Sequence, residues 1–146
     1  MKDRIKDLGS RIKQSLDSSV WEAPMKYSDL KVWQKSIDIV VDVYAMGKGL
    51  PQDERFGLIS QMQRAAVSVP ANIAEGHGRK ATNAFVNHLS IANGSLVELE
   101  TLVVISRRLG YISEQMEKRM LASTSEIGRM ITGLKGSLNP KRQAAT

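Results

Sequence analysis

Apolar residues recur in steps of three and four along this chain, and in one stretch the rhythm passes straight through a proline. Ile59, Met62, Ala66, Val69 and Ile73 form that stripe, and Pro70 lies inside it. Proline has no N–H for the carbonyl of Ala66, and its ring crowds that carbonyl. A stripe that keeps its phase across such a residue predicts a helix that continues but bends. The surrounding sequence, RAAVSVPANIAEGHGR (64–79), is unusual for a core helix: Ala65, Ala66, Ser68, Ala71 and Ala74 are small, and Asn72 and Glu75 are polar. Gly76, His77 and Gly78 read as its stop.

The other segments share this periodicity. A first helix is expected over 28–48, with Ser28 as N-cap and Asp29 in the first turn. Its apolar stripe reads Leu30, Trp33, Ile37, Val40, Val41 and Tyr44. Gly47 and Gly49 end it, and Pro51 suits the first position of the second helix. A third helix, 82–109, carries Phe85, Leu89, Ala92, Leu96, Leu99 and Val103. Gly94 lies mid-helix, where glycine is unfavourable, and so predicts a close neighbour. Gly110 is a natural stop. Ser113 then caps a fourth helix with Met116, Met120, Ile127, Met130, Ile131 and Leu134 on its apolar side. No segment alternates like a strand. Four helices joined by short turns predict an all-α, antiparallel up-down-up-down four-helix bundle over 27–137, with a kinked second helix. Residues 1–26 read as an N-terminal arm in which Ile5, Leu8, Ile12 and Leu16 recur at helical spacing. The arm is read as mobile, with docking on the body or on a partner as the other options. Residues 138–146 read as a frayed tail.

Composition narrows the class. The 146 residues contain no cysteine, so neither a disulfide framework nor a thiolate metal site is available. No apolar run nears the roughly 20 residues of a membrane span, and the charged N-terminus lacks an apolar signal core. The expectation is a cytoplasmic protein with no membrane association. The net charge of +6 is unevenly spread: residues 107–146 hold eight cations against Glu114, Glu117 and Glu126. Arg107, Arg108, Lys118, Arg119 and Arg129 are therefore the candidate nucleic-acid-binding residues. Aromatics for base stacking are scarce there, with Tyr111 the one nearby, so contact with the phosphate backbone is expected rather than base reading.

The stretch SQMQRAAVSVPANIAEGHGR (60–79) resembles the signature of the bacterial four-helix family of large-subunit rRNA intervening-sequence proteins. The resemblance extends through YSDLKVWQKSIDIV (27–40) and IANGSLVELETLVVISRRLGYI (91–112), and covers about residues 27–137. It implies an antiparallel four-helix subunit, often a homopentameric ring. It also implies kinship with accessory proteins of diversity-generating retroelements, which are basic pentamers that bind reverse transcriptase and RNA. No enzymatic activity is implied.

The residues of the motif itself read as a packing and polar-network device. Thin flanks on helix two, and Ala92, Gly94 and Ser95 on helix three, let two backbones approach. Asn72, Ser68 or Ser95 could supply a donor to the carbonyl freed by Pro70. Glu75 and Glu98 are expected to be matched by Arg64, Arg79 or backbone amides. His77 and His88 have no partner at metal-ligand spacing, Glu98 and Glu100 point to different helix faces, and EGHGRK (75–80) falls short of a phosphate loop. The sequence thus predicts a non-enzymatic, homo-oligomeric scaffold with no cofactor or metal, whose partners are itself and RNA or DNA. The alternatives are an accessory subunit of a reverse transcriptase and a protein-interaction module without nucleic-acid binding.

Overall fold

The computed structural model describes residues 25–138. The arm up to residue 24 and the tail from 139 lie outside the described residues. Four α-helices make up the body: α1 (Lys31–Gly47), α2 (Ser60–His77), α3 (Thr82–Arg108) and α4 (Glu114–Leu138). Among the described residues there is no strand. Neighbouring helices run antiparallel in the order α1, α2, α3, α4, with α2 against α3 the most extensive contact and α4 closing back on α1. The core lies between them, with Met62, Val69, Ile73, Leu89, Leu99, Val103 and Ile131 almost fully buried.

The start of α1 differs from expectation. Ser28 does not cap it; Tyr27–Asp29 form a 3₁₀ turn and Leu30 takes the N-cap position without a side-chain bond. Asp29 instead accepts from the Lys26 N–H at 3.2 Å, and Gln34 Nε2 donates to the Ser28 carbonyl at 3.0 Å. The buried face is also rotated. Val32, Ser36, Ile39, Val43 and Met46 point inward, whereas Val41 and Tyr44 are 63% and 46% exposed. α1 carries two apolar faces about one residue apart in phase, and periodicity alone cannot rank them. A Cβ on Gly47 would lie 3.4 Å from Ile59 Cγ2, so α1 is close to the start of the second helical segment on that side. Ser36 tolerates full burial because its hydroxyl donates to the Trp33 carbonyl at 2.7 Å.

Regular α2 begins at Ser60 rather than Pro51. Between them lie a 3₁₀ turn, Gln52–Glu54, and a π-helical turn, Arg55–Ile59. The break in helical geometry falls at Gly57 (φ −105°, ψ −112°), where Glu54 accepts from the Leu58 N–H at 3.2 Å. Pro70 sits buried within an unbroken helix. The predicted donors do not serve Ala66: Asn72 Nδ2 donates to the carbonyl of Ser68 at 2.8 Å.

The two C-terminal helices follow the sequence closely. All six stripe residues of α3 are buried. α3 ends with Gly110 at φ 78°, the Tyr111 N–H bonded to the Ser106 carbonyl and the Gly110 N–H to that of Arg107. This is a Schellman stop, for which glycine is the favoured residue. Ser113 Oγ accepts from the Met116 N–H at 3.1 Å and caps α4. α3 is nonetheless long and apolar enough, by length and composition, to cross a membrane, with a mean hydropathy of 1.4 over its best window. That corrects the expectation that no such stretch exists. Its apolar stripe and Leu102 are buried in the bundle, whereas Ile91, Val97 and Ile105 are exposed.

Two glycines separate cleanly. A Cβ on Gly76 would come within 2.5 Å of His88 Cβ and 3.0 Å of Phe85 Cδ2, so α2 and α3 approach closely there. Gly94 has nothing within 4 Å of such an atom and is exposed, against the expectation of a close neighbour. It lies on the outer side of α3, away from the stripe. Gly76→Ala should destabilise the protein by ~1–3 kcal/mol through overpacking. Gly94→Ala should stabilise the isolated subunit by up to about 1 kcal/mol through helix propensity. Urea unfolding of both variants checks the pair.

Candidate nucleic-acid surface and the polar seam between α2 and α3

The five candidate cations do not form one cluster. Arg107 and Arg108 occupy the last turn of α3. Arg108 is exposed, but Arg107 is half-buried and its Nε is enclosed without a hydrogen-bond partner. Lys118 pairs with Glu114 at 3.3 Å. Arg119 reaches Asp42 at 3.5 Å, which ties α4 to α1. Lys118 and Arg129 are eleven residues apart, a near-integral number of turns, so they share the outer side of α4 about 16 Å apart. Arg129 is exposed and contributes to the field at Glu126. The Glu126 carboxyl is held below its ordinary range chiefly by a hydrogen bond from Lys35 at 2.7 Å, with desolvation opposing and the charges of Lys35, Lys31 and Arg129 assisting. Arg108, Lys118, Arg119 and Arg129 are all exposed, and of these Lys118 and Arg119 already face a carboxylate. Tyr111 is engaged: its hydroxyl donates to Glu54 Oε1 at 3.4 Å, and partial burial together with the Glu54 charge raises its pKa.

The motif residues meet in a seam. Ser68 Oγ lies 2.7 Å from Ser95 Oγ. Asn72 Nδ2 donates to both the carbonyl and the hydroxyl of Ser68, at 2.8 and 3.0 Å. A carbonyl can only accept, so the amide orientation is fixed and Asn72 Oδ1 faces His88 Nδ1 at 3.1 Å. His88 must therefore carry its proton on Nδ1. One continuous chain, Ser95–Ser68–Asn72–His88, crosses from α3 to α2 and back. The sequence singles out three of its members. His88 is missed as a member because it is sixteen residues from Asn72 and no local pattern links them. Gly76, one turn beyond Asn72, provides the close approach that brings His88 in.

The carboxylates of the motif lie elsewhere. Glu75 pairs with Arg79 at 3.1 Å, as foreseen, but on the exposed side of α2 rather than in a buried match. Glu98 is also exposed; with Gln61, Arg64, Ala65, Ser68 and Ser95 it borders an open depression of about 420 Å³. Asn72 and Glu75 do not border it. Pro70 is part of the buried face of α2. His77 stacks edge-on against Phe85 at 5.8 Å, and burial lowers its pKa below 6.5, with Asp29 opposing. Among the described residues no group of three His, Asp or Glu could hold a metal ion.

The sequence profile of the 23S rRNA-intervening sequence protein family matches residues 28–133. The chain belongs to that family. A protein of unknown function from the S23 ribosomal protein family of Bacteroides thetaiotaomicron, solved as a crystal structure, is similar to it at 25% identity. The similarity has a TM-score of 0.67 and covers 71% of this chain and 97% of that one. No curated protein matches the chain. The intervening-sequence profile thus coincides with the helical body and takes in both the seam and the candidate cations up to Arg129.

Two outcomes follow for this intervening-sequence protein. Asn72→Leu leaves Ser68 and His88 without their partner and should cost ~1–3 kcal/mol, more than Ser95→Ala, as read by chemical denaturation. For His77, a folded-state pKa below the unfolded value means that the unfolded chain binds more protons as pH falls through about 6.5. Its contribution is full above that pH and is lost on acidification. Stability of the wild type should therefore drop more between pH 7.5 and 5.5 than that of His77→Gln.

Proposed function

We propose that this intervening-sequence protein is a non-enzymatic, homopentameric scaffold whose α3–α4 surface binds RNA or DNA through phosphates. The observation that carries the assembly is the outer side of α3. Ile91, Val97, Ile105 and Leu109 are 52%, 52%, 40% and 54% exposed on a helix whose other side already fills the core. Apolar residues spread along an exposed helix face are the mark of a surface that another chain covers. Gly94 lies among them, and its missing side chain lets a neighbour approach. Five subunits is the number that the family resemblance implies.

The nucleic-acid part rests on Arg108, Lys118 and Arg129. Lys118 is held only by an exposed i,i+4 pair, which is weak and readily exchanged for a phosphate. Arg119 and Arg107 contribute less to the free charge, the first through Asp42 and the second through burial. A modest patch repeated around a ring gains avidity without any new binding group. The non-enzymatic reading is supported by the seam, where Ser68, Asn72, Ser95 and His88 direct their hydrogen bonds to one another.

Light scattering should give five times the 16.1 kDa subunit mass, and Ile91→Glu with Ile105→Glu should reduce it to a single subunit. On single-stranded RNA, the triple variant Arg108→Glu, Lys118→Glu and Arg129→Glu should bind more weakly. Its log–log salt slope should flatten by ~0.7 for each phosphate that is no longer neutralised. A triple variant that binds as the wild type removes the nucleic-acid reading, and a wild-type monomer at all concentrations removes the assembly.

A further inference from the structure

The outer strip of α1 is a second uncovered apolar face, on a different side of the subunit from that of α3. Val41 and Tyr44 are exposed, and Trp33, Ile37 and Val40 are half-buried. Tyr27 continues the strip at its N-terminal end, edge-on to Trp33 at 5.3 Å. We propose that the N-terminal arm of the same chain covers this strip, with residues 5–16 lying antiparallel along α1.

Three observations select that occupant. The first is spacing. Ile5, Leu8, Ile12 and Leu16 advance in steps of three, four and four. Tyr44, Val41, Ile37 and Trp33, read backwards along α1, advance in the same order of steps. An antiparallel register therefore sets Ile5 by Tyr44, Leu8 by Val41, Ile12 by Ile37 and Leu16 by Trp33, with no residue out of place. The second is length: each set spans eleven residues, about 16 Å of helix. The third is where the chain leaves the body. Met25 packs against the core, two residues before Tyr27, whose ring meets that of Trp33 near the start of α1. Residues 17–24 can reach about 26 Å when extended, ample to reverse direction over the 8–10 Å between packed helix axes. A tether this short holds the arm at a high local concentration over its own α1, which favours contact within the chain over exchange between chains.

The absence of cysteine makes a direct test clean. Leu8→Cys with Val41→Cys in the full chain should oxidise to an intrachain disulfide, located by peptide mapping under non-reducing conditions. It should form ~10-fold faster than the control pair Leu8→Cys with Arg129→Cys, whose second site is on the outer side of α4. Adding Ile12→Glu should bring the rate down to that of the control, while the thermal unfolding of the body stays unchanged. Equal rates for the two pairs, disulfides that form only between chains, or a rate indifferent to Ile12→Glu would each overturn the proposal. None of these readouts depends on the subunit assembling or binding nucleic acid.

Discussion

The close approach of α2 and α3 at Gly76 is the contact on which the rest of the bundle depends. With no Cβ at that position, the chain of α2 comes against the side chains of Phe85 and His88. Two antiparallel helices held this close at one end are in register along their whole length. Asn72 meets His88, Ser68 meets Ser95, and near the far end the Ser106 hydroxyl lies 3.8 Å from Met62 Sδ. Small residues such as Ala65, Ala66 and Ala92 line the buried part of this contact, with almost no exposure. The polar members are tolerated because each finds a partner, which is the condition for taking hydroxyls and amides out of water.

The opposite side of the bundle is held differently. α1 and α4 are linked at the surface by Lys35 with Glu126 and Arg119 with Asp42. Exposed pairs of this kind contribute little to stability, so α4 is kept in place mainly by Met120, Ile127 and Ile131, which are almost fully buried. These ion pairs also bear on function. A count of basic residues in the last quarter of the chain overstates the positive charge available to a polyanion, because part of it already faces Asp42 or Glu114, or lies under the end of α3. Arg108 and Arg129 are exposed and outside these pairs, and Lys118, whose i,i+4 pair is itself exposed, shares the outer side of α4 with Arg129.

Much of the fold was legible because its signals are local. The stripe of α3, the stop at Gly110 and the Ser113 cap depend on residues within one or two turns of each other, and each is found where the sequence places it. The misplaced features all needed a distant neighbour or a competing local bond. Ser28 yields its capping role to a 3₁₀ turn that Asp29 holds by bonding back to Lys26. Gly94 looked like a contact point on propensity grounds, yet it is Gly76 that touches another helix. The candidate site shows the same division: Ser68, Asn72 and Ser95 stood out as polar residues in an apolar setting, whereas His88 was not linked to them by any spacing.

By itself the sequence determined that the chain makes four amphipathic helices, where three of them stop or start, and which side of α3 is buried, since hydrogen-bonded helical periodicity is a property of neighbouring residues. Only the tertiary structure decided which of two apolar faces α1 turns inward. Both faces have the helical period; packing against α2 and α4 buries the one that carries Val32, Ser36, Ile39, Val43, Met46 and Gly47 and leaves Val41 and Tyr44 exposed. It likewise decided which cations are free, because ion pairing depends on residues such as Asp42 and Arg119, which are far apart in the chain and meet only when the helices pack.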